Sequence, residues 1–289
     1  MINFKRDSDN LIVAGNGPSL KNIDLNSLPD NFDVFRCNQF YCEDKYYLGK
    51  KIKLAMFNPS VIYSQLQTVY HLEKNNEYEI DYICIAIPNL LQTNFNLNKL
   101  MQKHPHVIIL DNLLNKDKRV LKHINNTREY EAKTITSGVQ LIAIGAILGY
   151  KNIYFTGIDF YKDSKQNNSY CYNIPNDSNM KKLIYKNNTI VTSAHSANSD
   201  LRAIQYLQSL YNIQQLHTLE KNNTGGGLDL QAPIQKQNNF TKDIFISSDD
   251  IPEIKEDHIL KIIERNLRHS IKKMLGIKKY QNVYTKTKQ

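Results

Sequence analysis

Short apolar runs separated by amphipathic stretches dominate the first two thirds of the chain. Leu11–Ala14 (LIVA), Asp33–Asn38 (DVFRCN), Lys53–Phe57 (KLAMF), Tyr82–Ile87 (YICIAI) and Val107–Leu110 (VIIL) read as strands, followed by Asn152–Phe160 (NIYFTGIDF) and Ile213–Leu219. Runs that are apolar throughout, rather than alternating, belong to strands buried on both faces. Ser60–Asn75, Ser137–Leu148 and Ser199–Tyr211 carry helical patterns, and the second is almost wholly apolar, hence a buried helix. This alternation predicts an α/β fold with a Rossmann-like, mainly parallel sheet and helices on both faces.

The pattern breaks twice. From Lys162 to Ser193 the chain is rich in Asn, Ser and Lys, with scattered Tyr and little periodicity. A polar insertion of that length on the C-terminal end of a central strand predicts a lid. Asn222–Gly227 (NNTGGG) through Gln231–Asn239 reads as loop and linker. The expected organisation is an α/β core over 1–161, a flexible lid over 162–194, the remainder of the core over 195–245, and a basic amphipathic tail over 246–289.

Composition changes this picture mainly at the tail. The net charge is +9, but from Lys261 onward nine Lys/Arg face the single acid Glu264, so the rest of the chain is near +1. Leu260, Ile263, Leu267, Ile271 and Met274 recur there at helical spacing, flanked by Lys261, Arg265, Arg268, Lys272 and Lys273. A basic amphipathic helix suits an anionic membrane surface; docking on the core is the alternative. A nucleic-acid tail is disfavoured, because Tyr280 and Tyr284 are its only aromatic residues. No apolar run approaches the ~18 residues of a membrane span. The N-terminus, MINFKRDSDN, lacks the apolar core of a signal peptide, so a cytoplasmic protein is expected. Cys37, Cys42, Cys84 and Cys171 form no C-x-x-C pair or zinc spacing and read as reduced thiols, two of them in strands.

The candidate chemistry gathers at strand ends. Leu11–Ala14 opens into Gly15-Asn16-Gly17-Pro18-Ser19, where glycines let backbone N–H groups approach a phosphate. The spacing is not G-x-G-x-x-G and lacks a P-loop lysine, so a nucleotide site and a ligand-free tight turn both remain open. Asn16, Asn38 and Asn58 each close a strand, and a carboxamide suits ribose hydroxyls and a pyrimidine edge. Thr136-Ser137-Gly138 opens the buried helix as an anion site or a simple N-cap. Gly157-Ile158-Asp159-Phe160-Tyr161 brings a carboxylate and a phenol to the same crevice. His195 lies where the insertion returns to the core and can serve as a base at neutral pH. His104, His106, His123, His258 and His269 read as solvated surface residues. The only Asp-x-Asp, Asp7-Ser8-Asp9, precedes the first strand and is a poor carrier of a metal–diphosphate, which predicts metal-independent chemistry.

Together these segments resemble the bacterial lipooligosaccharide sialyltransferases of glycosyltransferase family 42. The likeness lies in Ala14–Leu20 (AGNGPSL), Phe32–Lys51 (FDVFRCNQFYCEDKYYLGKK, with Cys42 as the gap), Phe57–Ser60 (FNPS), Ile135–Val139 (ITSGV), Gly149–Tyr161 (GY-x-x-IY-x-x-GIDFY) and the His195–Ser196 pair. The resemblance implies a GT-A-like variant of the fold with a lid, assembled as a homo-tetramer. It implies inverting transfer of sialic acid from CMP-sialic acid to a terminal galactose of lipooligosaccharide, with α-2,3 linkage and no cofactor or metal. The enzyme would sit peripherally on the inner face of the bacterial inner membrane. Asn16, Asn38 and Asp159 would hold cytidine and ribose, with Gly17, Ser19 and Gly157 around them. Asn58, Ser137 and Gly138 would meet the phosphate or the sialyl carboxylate. Tyr161 and Tyr170 would donate to the departing phosphate, and His195 would deprotonate the acceptor. Two positions depart from the family pattern: Thr134 stands where N-x-R-I-T-S-G has Arg, with Lys133 the nearest cation, and Thr192 stands where a tyrosine precedes the base, with Tyr185 as an alternative. A degenerate CMP-sialate-binding relative and an unrelated Rossmann-like enzyme are the competing readings.

Overall fold

Seven parallel strands form one sheet in the order β5-β4-β3-β2-β1-β6-β7. They are β1 Asn10–Ala14, β2 Asp33–Cys37, β3 Lys51–Phe57, β4 Glu79–Ile85, β5 Val107–Ile109, β6 Asn152–Thr156 and β7 Ile213–Gln215. The protein is described by a computed structural model covering residues 4–57, 62–85, 102, 104, 107–160, 170–171 and 195–215. The chain divides into two compact units, Met1–Phe245 and Ile246–Gln289, and all of these residues lie in the first.

Among the described residues the α-helices are α1 Ile62–Lys74, α2 Leu110–Leu114, α3 Lys118–Glu131, α4 Ser137–Ile147 and α5 Ala197–Leu210. Strand order steps outward from β1 to β5 and then returns to β6 on the other side of β1. Right-handed crossovers therefore place α1 on one face and α2 to α5 on the other. Leu11, Ile12, Val13 and Ala14 are wholly buried, as a strand covered on both faces must be. Helix α4 is apolar all round, is buried from Gly138 to Ala146, and packs on β1, β2 and β6. No helix among the described residues is long and apolar enough to cross a membrane.

The expected α/β architecture is observed, with some boundaries moved. Strand β2 ends at Cys37, because Asn38 is left-handed at φ 51°. Strand β6 ends at Thr156 rather than Phe160, because Gly157 (φ 65°) and Phe160 (φ 53°) turn the chain out of the sheet. Helix α3 was not expected, since only Val120, Ile124 and Thr127 are buried on it. His104 is buried, not solvated: its Nδ1 lies 2.6 Å from the Tyr70 hydroxyl. His123 is half-buried and stacks on Tyr206 at 4.3 Å. Polar sequence neighbours do not reveal which tertiary surface covers an imidazole. His106, His258 and His269, the tail, and the lid apart from Tyr170 and Cys171 lie outside the described residues. Cys37 and Cys84 are in β2 and β4 as expected, and none of the four cysteines forms a disulfide among the described residues.

Candidate active site

Strand order reverses at β1, between β2 and β6. In open α/β sheets this switch point leaves a crevice beyond the C-terminal strand ends. The turns after β1 and β6 are laced together there. The Gly15 N–H donates to the Thr156 carbonyl (2.9 Å) and the Gly17 N–H to the Gly157 carbonyl (2.8 Å). In return the Gly157 N–H donates to Ser19 Oγ, and the Ser19 N–H to Asp159 Oδ2, both at 3.0 Å. A Cβ on Gly15 would stand 2.2 Å from the Gly157 carbonyl oxygen, and one on Gly17 2.1 Å from Asp159 Oδ2. The glycines are required because two backbones meet, and Asp159 closes the N-terminus of the 3₁₀ turn Pro18–Asn22.

Asn16 ties this turn to β2. Its Nδ2 donates to the Cys37 carbonyl at 2.9 Å, its Oδ1 lies 3.5 Å from Arg36 Nη2, and its own carbonyl accepts from the Cys171 N–H at 2.7 Å. The carboxamide thus fixes strand ends, and the half-buried Tyr170 is brought beside the turn through its neighbour Cys171. Asn38 adopts the left-handed conformation that Asn tolerates better than most side chains. From there its Nδ2 reaches Ser137 Oγ at 3.5 Å. Ser137 opens α4, whose first-turn N–H groups (Ser137, Gly138, Val139) have no intrahelical acceptor and suit an anion. A Cβ on Gly138 would stand 2.8 Å from Ile158 Cδ1, so α4 also abuts the β6 turn.

His195 completes the arc. Its Nδ1 lies 2.5 Å from the Thr134 carbonyl oxygen, two residues before Thr136. A carbonyl only accepts, so Nδ1 carries the proton and the neutral ring keeps its lone pair on Nε2. Beneath it, buried Asp200 on α5 accepts from the Thr136 N–H at 2.8 Å. Burial lifts the Asp200 carboxyl above its ordinary range, against the pull of its Thr136 hydrogen bonds.

The model of the CST-I alpha-2,3-sialyltransferase family matches residues 9–277 of the chain. The chain belongs to that family. The monofunctional alpha-2,3-sialyltransferase Cst-I from Campylobacter jejuni superposes with TM-score 0.72 at 34% identity, covering 90% of this chain and 98% of that one. The C. jejuni sialyltransferase CstII in complex with the substrate analogue CMP-3FNeuAc gives TM-score 0.69 at 36% identity, covering 83% and 96%. An uncharacterized protein of Haemophilus influenzae is 35% identical over 145 residues, which are 49% of this chain and 62% of that relative, so less than two thirds of its length is spanned.

In this chain the structure brings together Asn16, Gly17, Ser19, Asn38, Ser137, Gly138, Gly157, Asp159, Tyr170 and His195 around the β1, β2 and β6 ends. Tyr161, Asn58, Tyr185 and Thr192 lie outside the described residues. The Thr134 departure leaves the imidazole contact intact, because a backbone carbonyl makes it. Sequence reasoning missed Arg36 and Asp200. A charge inside the apolar run DVFRC was the available signal for the first, and an acid in the first turn after His195 for the second.

Proposed function

We propose that the chain transfers sialic acid from CMP-sialic acid to a terminal galactose hydroxyl of lipooligosaccharide, with inversion, α-2,3 linkage and no metal. The observation that carries this reading is the imidazole held by the Thr134 carbonyl with Nε2 left as base, on the rim of an anion-binding crevice. Family membership and the CMP-3FNeuAc complex of the C. jejuni relative support the donor. A second CST-II structure contains a trisaccharide acceptor with CMP (TM-score 0.65, 36% identity, 83% of this chain and 96% of that one).

On this reading the Asn16–Ser19 turn, Asn38, Gly157 and Asp159 cradle cytidine and ribose. The α4 N-terminus at Ser137 and Gly138, with Asn58, faces the phosphate and the sialyl carboxylate. His195 Nε2 takes the proton of the acceptor hydroxyl as its oxygen bonds to the anomeric carbon from the face opposite the phosphate. The anomeric C–O bond breaks through an oxocarbenium-like state, and CMP departs with the electron pair. Tyr161 and Tyr170 donate to the departing phosphate, and loss of one such preorganised donor costs on the order of 10²-fold in comparable sites. Phenols in that role replace a divalent ion. In keeping with this, the Asp-x-Asp sits at the N-terminal end of the strands, opposite the crevice, with Asp7 bound by Lys51 and Lys53 and Asp9 by Lys151. The basic tail is assigned to an anionic membrane surface, which places the enzyme peripherally on the cytoplasmic side of the inner membrane, as a tetramer.

The test is incubation of the purified protein with CMP-sialic acid and lactose, with and without EDTA. Sialyllactose with α-2,3 linkage in both samples is expected. Product only without EDTA would overturn metal independence, and donor binding without product would overturn transfer.

A further inference from the structure

Arg36 is wholly buried, projecting from β2 beneath the Asn16 turn. Its Nη2 donates to Glu43 Oε2 at 2.8 Å and lies 3.5 Å from Asn16 Oδ1, and both members of the ion pair are shut off from solvent. Glu43 Oε1 accepts from the Tyr78 hydroxyl at 2.8 Å, and the guanidinium stands 5.4 Å over the Phe40 ring. Arg36 Nε and Nη1 have no hydrogen-bond partner among the described residues. Cys171, fully buried, lies within electrostatic reach of both charges, and its N–H donates to the Asn16 carbonyl.

This arrangement is a poor stabiliser. Buried pairs are often replaced by apolar side chains at no loss, and two orphaned guanidinium nitrogens add a desolvation penalty. What Arg36 supplies is position. Its rigid fork holds Glu43 and approaches the Asn16 acceptor with the same nitrogen. Asn16 is thereby oriented with Nδ2 on the Cys37 carbonyl. One side chain therefore sets the pose of the glycine turn, the end of β2 and the docking point of Tyr170–Cys171.

We propose that Arg36 is a positioning residue for the donor substrate, acting through Asn16 and touching neither substrate nor reacting atoms. The assignment rests on the donor site given above. Two variants test it. Arg36→Met with Glu43→Gln removes both charges and keeps volume and an acceptor for Tyr78. Arg36→Lys keeps the charge facing Glu43 and loses the fork that approaches Asn16. The readouts are melting temperature, CMP affinity by calorimetry, and the KM values for donor and acceptor.

The expected result for the double variant is a melting temperature at or above wild type, CMP affinity and donor KM each worse by about ten-fold, and an unchanged acceptor KM. For Arg36→Lys the expected loss of CMP affinity is about five-fold with the fold intact. A folded variant that binds CMP within about two-fold of wild type overturns the proposal, as does an affinity loss that tracks lost melting temperature in both. If the double variant does not fold, Arg36→Lys alone decides. Wild-type protein that fails to bind CMP sinks the donor reading and the Arg36 role with it. Wild-type binding with unaltered variants sinks the Arg36 role alone.

Discussion

Gly17→Ala isolates the meeting of the β1 and β6 turns. Gly17 has φ −73° and ψ 161°, extended backbone that alanine adopts freely, so no conformational penalty arises. The added Cβ would stand 2.1 Å from Asp159 Oδ2 and 2.8 Å from the Gly157 carbonyl oxygen, well inside van der Waals contact. The carboxylate is the softer neighbour and yields first, giving up the Ser19 N–H it holds at 3.0 Å. Overpacking of this kind costs about 1–3 kcal/mol. A charge-assisted hydrogen bond adds about 1.5–3 kcal/mol. The expected sum, about 2.5–6 kcal/mol, is a large share of a typical folding free energy. Urea titration of the variant reads it directly. A cycle with Asp159→Ala then tests the cause, since removing the carboxylate removes most of the crowding and part of what the alanine destroys. A coupling above about 1 kcal/mol is expected. A destabilisation under about 0.5 kcal/mol, or a strictly additive cycle, refutes the reasoning.

Four further outcomes are expected. His195→Ala abolishes transfer while CMP affinity stays within a few-fold, and unchanged turnover removes His195 from the mechanism. A carboxyl group whose folded pKa exceeds its unfolded value holds its proton more tightly when folded. Asp200 therefore takes stability away as the pH rises from 3.8 through its raised folded value. Asp200→Asn still accepts from the Thr136 N–H, so its stability gains on wild type across that window and runs parallel above it; curves parallel throughout contradict this. Burial pushes the Cys37 thiol up to about 11 and the Cys171 thiol up to about 12, so at pH 8 half-buried Cys42 alkylates first; prompt native labelling of Cys171 contradicts its docking on Asn16. Truncation after Pro252 abolishes sedimentation with anionic liposomes and spares activity on soluble acceptors, and tail-independent sedimentation shows that the basic tail serves another purpose.

Much of the sheet was legible because strands buried on both faces must be apolar throughout, as LIVA and KLAMF are. Helix α4 was legible for the same reason. Helix α3 was not, because Val120, Ile124 and Thr127 are sparse among Lys, Arg, His and Asn; its cap, Asp117 accepting from the Arg119 N–H at 2.9 Å, was the stronger signal. At the site, Asn16, Asn38, Asp159 and His195 were legible as polar residues at strand ends and at the lid's return. Their partners were not. Asn16 binds Cys37, Asp159 binds Ser19, and His195 binds the Thr134 carbonyl. Those pairings depend on β6 lying beside β1 and on the turns that follow, which no local pattern encodes. The Arg36–Glu43 pair was hidden in the same way, since the 3₁₀ turn Phe40–Cys42 is what folds Glu43 back under β2.

The most direct test of the donor site is a crystal structure of this chain with a non-reactive CMP-sialate analogue. The account predicts cytidine over the β1 and β2 ends within hydrogen-bond reach of the Asn16–Ser19 turn and Asn38. It predicts the phosphate at the α4 N-terminus and His195 Nε2 facing the anomeric carbon across the space left for the acceptor. A nucleotide seated elsewhere, or His195 Nε2 turned from the sugar with Nδ1 still on Thr134, would contradict it.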